Sequence, residues 1–168
     1  MVQLQTSGDP AMQILPQPHI HPNYAFNTIV TASQRTSVAE NAIRAYTMMR
    51  DFGYQPDVFT LTALLDVVGR NVSFPQAWTI YEGMKGSATV PNVVTYVTLI
   101  RLAPKAKADP MQIAFSVLND ATEALVTVDA SIYNAVMIAC VRVKDTTSLR
   151  RALEMMRATA DRKSTRLN

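Results

Sequence analysis

Few side chains in this 168-residue chain combine the type and the spacing that chemistry needs. His19 and His21 form an H-x-H pair, the spacing of two metal ligands. No third ligand lies nearby, so the pair reads as solvated loop histidines. Cys140 is the only cysteine. It sits in the apolar run Ala135-Val-Met-Ile-Ala-Cys-Val141, which marks a small buried hydrophobe rather than a nucleophile. A single cysteine builds neither a disulfide framework nor a cysteine zinc site. There is no glycine-rich phosphate loop, no aspartate pair at nuclease spacing and no Ser/His/Asp set, so no enzyme activity and no cofactor are expected. Lys105 and Lys107, with Arg101 nearby, suit either phosphate contact or a solvated loop. Asn27 and Thr62 fall near helix N-termini, where such side chains cap or bond backbone. Asp57 and Asn92 suit N-caps of the helices that follow them.

The elements that carry these residues recur. At an offset of 35 residues, Tyr46 matches Tyr81, Met49 matches Met84, Pro56 matches Pro91, Thr60 matches Thr95 and Leu64 matches Leu99. Apolar spacing of three and four predicts helices over 24–35, 38–51, 58–70, 74–85, 93–103, 110–124, 130–143 and 147–159. The stripes are Phe26, Ile29 and Val30, then Ala39, Ala42, Ile43, Tyr46 and Met49, then Leu61, Leu64, Leu65 and Val68, and so on. Gly53 suits a left-handed residue past a helix end, and Pro56 prevents continuation. Pro75 and Pro110 suit first turns, and Pro104 a stop. Tyr133 follows Tyr96 by 37 residues rather than 35, which places two extra residues in the Lys105–Asp109 connection. Helix–turn–helix units of this length cannot bury their apolar faces alone, and stacking them makes a solenoid. The fold class is therefore all-α. Tyr46, Tyr81, Met49, Met84 and Trp78 are expected in its core.

Charge gives little guidance to partners. The formal net charge is +3, but residues 1–160 hold 13 Lys or Arg against 12 Asp or Glu. The remainder comes from 161–168, which also resembles a frame of a sequencing-library adapter and reads as a non-native tail. The chain would then end mid-repeat near Ala160. Residues 1–22 are rich in Pro and Gln and read as a disordered leader. They are neither Arg-rich nor amphipathic, so no transit peptide is visible. No apolar run approaches the roughly 20 residues of a membrane span.

The period and wording of the repeat resemble the pentatricopeptide repeat family. The run Val93-Val-Thr-Tyr-Val-Thr-Leu-Ile100 is close to the family's opening of the first helix. Ala42, Tyr46 and Met49, and again Ala77, Tyr81 and Met84, follow its second-helix pattern. Pro56-Asp57 and Pro91-Asn92 follow its closing pair. The 34-residue tetratricopeptide pattern fits worse, because its Trp and Leu-Gly signature is missing. The resemblance covers 23–160, with repeats at 23–57, 58–92, 93–129 and 130–160, the last degenerate or truncated.

That resemblance implies a right-handed α-solenoid that binds single-stranded RNA, about one base per repeat. By position it makes Asn27 and Asp57 a base-reading pair favouring uracil, with Tyr24 packing on the base. Thr62 and Asn92, with Phe59, form a pair favouring adenine. Val97 and Asp129, with Val94, form a third pair that discriminates poorly, because Val97 carries no donor or acceptor. Asn134, with Ser131, belongs to the fourth. The resemblance also implies a mitochondrial or plastid location. The alternative is a helical-repeat scaffold for protein partners without RNA readout. RNA binding requires Asn27, Thr62, Asp57 and Asn92 exposed along one groove beside Arg or Lys, whereas a scaffold would show an apolar patch there.

Overall fold

The computed structural model describes residues 22–36 and 38–165, with side chains described over 24–36 and 38–159. His19, His21 and nearly all of the Pro/Gln-rich leader lie outside the described residues, as do 166–168. Eight α-helices follow one another, and no strand occurs among the described residues. They are α1 (Pro22–Thr36), α2 (Ala39–Asp51), α3 (Val58–Asn71), α4 (Phe74–Lys85), α5 (Val93–Leu102), α6 (Pro110–Glu123), α7 (Ala130–Val143) and α8 (Thr146–Thr165). A 3₁₀ turn, Ala103–Lys105, extends α5. Pro104 lies in that turn and ends the α-helix there, as its missing amide donor requires.

Local chemistry sets the helix ends. Asp57 accepts from Thr60 N at 2.7 Å and starts α3. Asn92 and Thr95 form a capping box at α5, and Asp109 accepts from Met111 N and Gln112 N at α6. Each such cap contributes about 1 kcal/mol. Between α2 and α3 the chain reverses at Gly53, whose φ of +78° is open to glycine without strain.

The helices pair as hairpins, α1 with α2, α3 with α4, α5 with α6 and α7 with α8. The hairpins then stack, because α1 packs on α3, α3 on α5 and α5 on α7. First helices thus form one continuous layer, the arrangement of an α-solenoid. Between the layers runs a core of buried side chains. One stretch holds Val30, Ala42, Leu64 and Val67. The next runs from Leu65 through Tyr81, Tyr96, Leu99, Val117 and Val136 to Ala152. Burying a Leu or Ile side chain of this kind contributes about 1.5–3 kcal/mol. Tyr81, Met49 and Met84 are fully buried, as the repeat pattern requires, whereas Tyr46 and Trp78 are half-buried. Cys140 is buried, and burial pushes its thiol up.

Two sequence expectations need correction. Ile29 and Ile43 are 46% and 41% exposed, because they stand on faces that no described helix covers. Helix α8 runs on to Thr165, well past 159, into the segment read as a tail.

Candidate functional site

The N-terminal turns of the first helices carry the candidate residues, and they fall in rows. Tyr24, Phe59 and Val94 are 71%, 55% and 59% exposed. Ser131, the next in the row, is also exposed. Each sits in the first turn of its helix, where the outward position costs the core nothing. Such a row of exposed apolar groups, spaced once per repeat, gives flat surfaces on which planar ligands can rest.

Beside that row the polar residues meet across the repeats. In the first hairpin pair, Asn27 Nδ2 donates to Asp57 Oδ2 at 3.3 Å. Thr60 Oγ1 bonds both Asn27 Oδ1 and Asp57 Oδ1. Residues 30 positions apart in sequence are therefore joined through one hydroxyl. Burial alone would push the Asp57 carboxyl up. Hydrogen bonds from Thr60 and Asn27 outweigh it and hold the carboxyl below its usual value, so it is an anion at neutral pH.

The second pair repeats the design with different atoms. Thr62 Oγ1 lies 2.7 Å from Thr95 Oγ1. Thr95 Oγ1 in turn donates to Asn92 Oδ1 at 3.2 Å, and Thr95 N donates to the same oxygen at 3.1 Å. Asn92 is exposed, but Thr62 is only 7% exposed, because α5 packs over it. The expectation of four fully exposed groups is thus met for Asp57 and Asn92, partly for Asn27, and not for Thr62. The capping roles and the cross-repeat contacts also coexist: Asp57 and Asn92 cap α3 and α5 while holding their partners.

At the third position the linkage is missing. Val97 is half-buried and apolar. Ile132, fully buried, stands where Thr60 and Thr95 stand in the repeats before it. Asp129 turns instead to Ser131, accepting from its amide at 2.9 Å and its hydroxyl at 2.5 Å. The Ser131 hydroxyl, foremost, keeps the Asp129 carboxyl below its usual range. Asn134 is exposed on α7.

A third row, of which the sequence reading singled out only Lys105, runs along the same helices. Arg35, Arg70, Lys105 and Arg142 are exposed and follow each other at offsets of 35, 35 and 37 residues. Each lies 11 residues after an exposed first-turn residue: Tyr24, Phe59, Val94 and Ser131. Eleven residues make about three helical turns, so on α1, α3 and α7 both residues occupy one face, about 16 Å apart. Lys105, carried on the 3₁₀ turn, donates to the Arg70 carbonyl at 2.6 Å. Arg70 pairs with Asp66 at 2.5 Å, and Gln34 donates to the same carboxylate oxygen at 3.0 Å. The first-helix layer thus presents an apolar row, a polar row and a basic row. The repeat offset already contained this signal, but net charge concealed it.

Among the described residues no group of three or more His, Cys, Asp or Glu is placed to hold a metal ion. No helix there is long and apolar enough to cross a membrane.

Comparison with known proteins agrees with the geometry. Residues 44–106 match the family model described as pentatricopeptide repeat domain. The pentatricopeptide repeat-containing protein At1g79540 of Arabidopsis thaliana is 32% identical over 79 residues, 46% of this chain and 10% of that protein. Among solved structures, the pentatricopeptide repeat protein PPR10, from maize, in complex with an 18-nt psaJ RNA element superimposes with a TM-score of 0.73. That match has 23% identity and covers 81% of this chain and 20% of PPR10. The PPR domain of Arabidopsis thaliana protein-only RNase P 1, in complex with tRNA, gives a TM-score of 0.68 at 20% identity, covering 83% of this chain and 72% of that one. The chain thus spans a small part of the first two proteins and most of the third domain. The sequence period, the stack of helical hairpins and these matches agree: the chain has the fold of pentatricopeptide repeat proteins, and its residues 44–106 match the repeat domain of that family.

Proposed function

We propose that this chain binds single-stranded RNA, about one base per repeat, with repeats at 23–57, 58–92, 93–129 and 130–160. The observation that carries the reading is the register of three rows on one face. Tyr24, Phe59 and Val94 offer surfaces for base faces, and stacking on such groups contributes about 1–3 kcal/mol per base. Asn27 with Asp57, and Thr62 with Asn92, offer donors and acceptors to base edges. Arg35, Arg70, Lys105 and Arg142 offer cations to the phosphates. The solved relatives named above include proteins crystallised with RNA, which supports the assignment.

The first repeat selects uracil, the second adenine, and the third discriminates little because Val97 has no polar group. The strand runs 5′ to 3′ from the first repeat to the fourth. The role is recognition, with no catalytic step assigned to the residues described. The site of action is a mitochondrion or plastid, as the family resemblance implies.

Salt dependence tests the reading. Each phosphate contact on a single strand contributes a slope of about −0.7 in log K against log salt concentration. Four bases give a total near −3, and Arg70→Gln should flatten it by about 0.7. Binding to a short single-stranded RNA pool, measured across salt concentrations, checks both values. Absence of salt-dependent RNA binding would favour the protein scaffold.

A further inference from the structure

The two cross-repeat linkages differ in which atom carries the proton, and that difference has a consequence for base choice. In the second pair, Asn92 Oδ1 accepts the Thr95 backbone amide, so this atom is the oxygen and its amide nitrogen points away. The Thr95 hydroxyl spends its one proton on the same oxygen. The Asn92 backbone N–H donates to Thr95 Oγ1 at 3.3 Å. Thr62 must then donate its own proton to Thr95 Oγ1. Thr62 is left with lone pairs alone, and Asn92 Nδ2 makes no hydrogen bond to a described residue. The pair offers one acceptor and one donor. Adenine's edge, an amino group beside a ring nitrogen acceptor, is the complement.

In the first pair the order reverses. A carboxylate only accepts, so the Asn27 atom facing Asp57 must be Nδ2 and the atom facing Thr60 must be Oδ1. The Thr60 hydroxyl shares its single proton between Asn27 Oδ1 and Asp57 Oδ1 and so ties the two readers together. The second Asn27 Nδ2 proton is left to donate, and Asp57 is left to accept. Uracil's edge, a carbonyl beside a ring N–H, is the complement.

We infer that Thr60 and Thr95 are positioning residues that set the hydrogen-bond polarity of the reading pairs beside them. The inference rests on the RNA-binding reading above and deepens it. Neither threonine needs to touch the base. Thr60 and Thr95 are fully buried, which suits residues that act through others. The third position supplies an internal contrast: Ile132 replaces the threonine where Val97 replaces the polar reader.

The test uses Thr95→Val and Thr60→Val, which keep side-chain shape and remove the hydroxyl, with Thr95→Ser and Thr60→Ser as rescues. Each protein is selected against a random-sequence pool of short single-stranded RNA, and thermal melting is recorded in parallel. The expected result is a loss of about fivefold in base preference at the second position for T95V and at the first for T60V, each leaving the other position unchanged. The serine variants restore the preference. Folded valine variants with unchanged base preferences overturn the inference and leave RNA binding intact. A uniform affinity loss at every position, in step with lowered melting, also overturns it, since that is what a purely structural role gives. If T95V does not fold, T60V decides at its own repeat. A parent chain that enriches no RNA overturns the RNA-binding reading itself, and the inference with it.

Discussion

Gly69 offers a test of how tightly the first-helix layer is packed. It lies near the end of α3, buried against α5 and α4. A Cβ added there would stand 2.4 Å from Leu102 Cδ1 and 3.1 Å from both Leu102 Cδ2 and the Ala77 Cβ. Carbon contacts are comfortable at about 3.5–4.0 Å, so the overlap with Leu102 exceeds an ångström. Leu102 is 3% exposed and has no open solvent to move into. Overpacking of this kind costs about 1–3 kcal/mol. Against it, alanine gains about 1 kcal/mol of helix propensity over glycine. The net expectation for Gly69→Ala is a loss of about 1 kcal/mol, or about 2–4 °C in melting temperature for a chain of this size. Gly83 is the control. It lies in α4 with nothing within 4 Å of its added Cβ, so Gly83→Ala should stabilise by up to about 1 kcal/mol. A third protein closes the argument. On a Leu102→Ala background the main overlap is gone, and Gly69→Ala should then be neutral or stabilising, a coupling of about 1–3 kcal/mol in the cycle. Thermal and urea unfolding followed by circular dichroism measure the parent chain and the four variants. If Gly69→Ala melts above the parent chain, or if its effect is the same with and without Leu102, the packing argument is wrong.

Three further outcomes follow from the geometry. Tyr81 donates to Asp120 Oδ2 at 2.6 Å, and Lys85 bonds the same oxygen at 3.2 Å; Tyr81→Phe should cost about 1–2 kcal/mol in urea unfolding, with a smaller loss when Asp120 is already Ala. Asp57, Asp129 and Asp145 have carboxyls held below 3.8 in the folded chain. For Asp145 the Ser148 hydroxyl is the foremost cause. The unfolded chain therefore binds more protons just below that value, so stability is complete above about pH 4 and falls as pH drops through the folded pKa values. Melting temperature recorded from pH 6 down to about 2 should show that decline, and Asp57→Asn should make it shallower. Finally, Val97→Asn should create uracil preference at the third position in RNA selection, and adding Ile132→Thr should sharpen it further. Equal selectivity in the single and double variants would argue against the threonine's role.

Much of this architecture was readable because helix period and helix punctuation are local. Helices 74–85 and 130–143 end where the capping residues and the apolar stripe say they should. Pro104 stops α5, although the chain continues as a 3₁₀ turn for three residues before leaving the axis. The pairing of Asn27 with Asp57 came from repeat position and is realised as a contact. Thr62 is different: its burial depends on how closely α5 approaches α3, which no single helix encodes. The roles of Thr60 and Thr95 were equally invisible, since each depends on a hydroxyl reaching a residue one repeat earlier. Ile29 and Ile43 look like core residues by spacing. They are exposed because a stripe reports which face is apolar, not whether another helix covers it. The basic row was legible but unread, because summing charge discards position.

The two extra residues between α5 and α6 show what a modular chain can absorb. They fall at the end of α5 farthest from Val93–Val97, beyond the turn that carries Lys105. Added length there leaves the phase of the first turns untouched: α7 still begins with Asp129 as its cap and Ser131 exposed in its row. The solenoid behaves like a ruler whose graduations lie on one edge and whose splices lie on the other. Chain length can drift at the splices while the spacing of the graduations is conserved by helix packing alone.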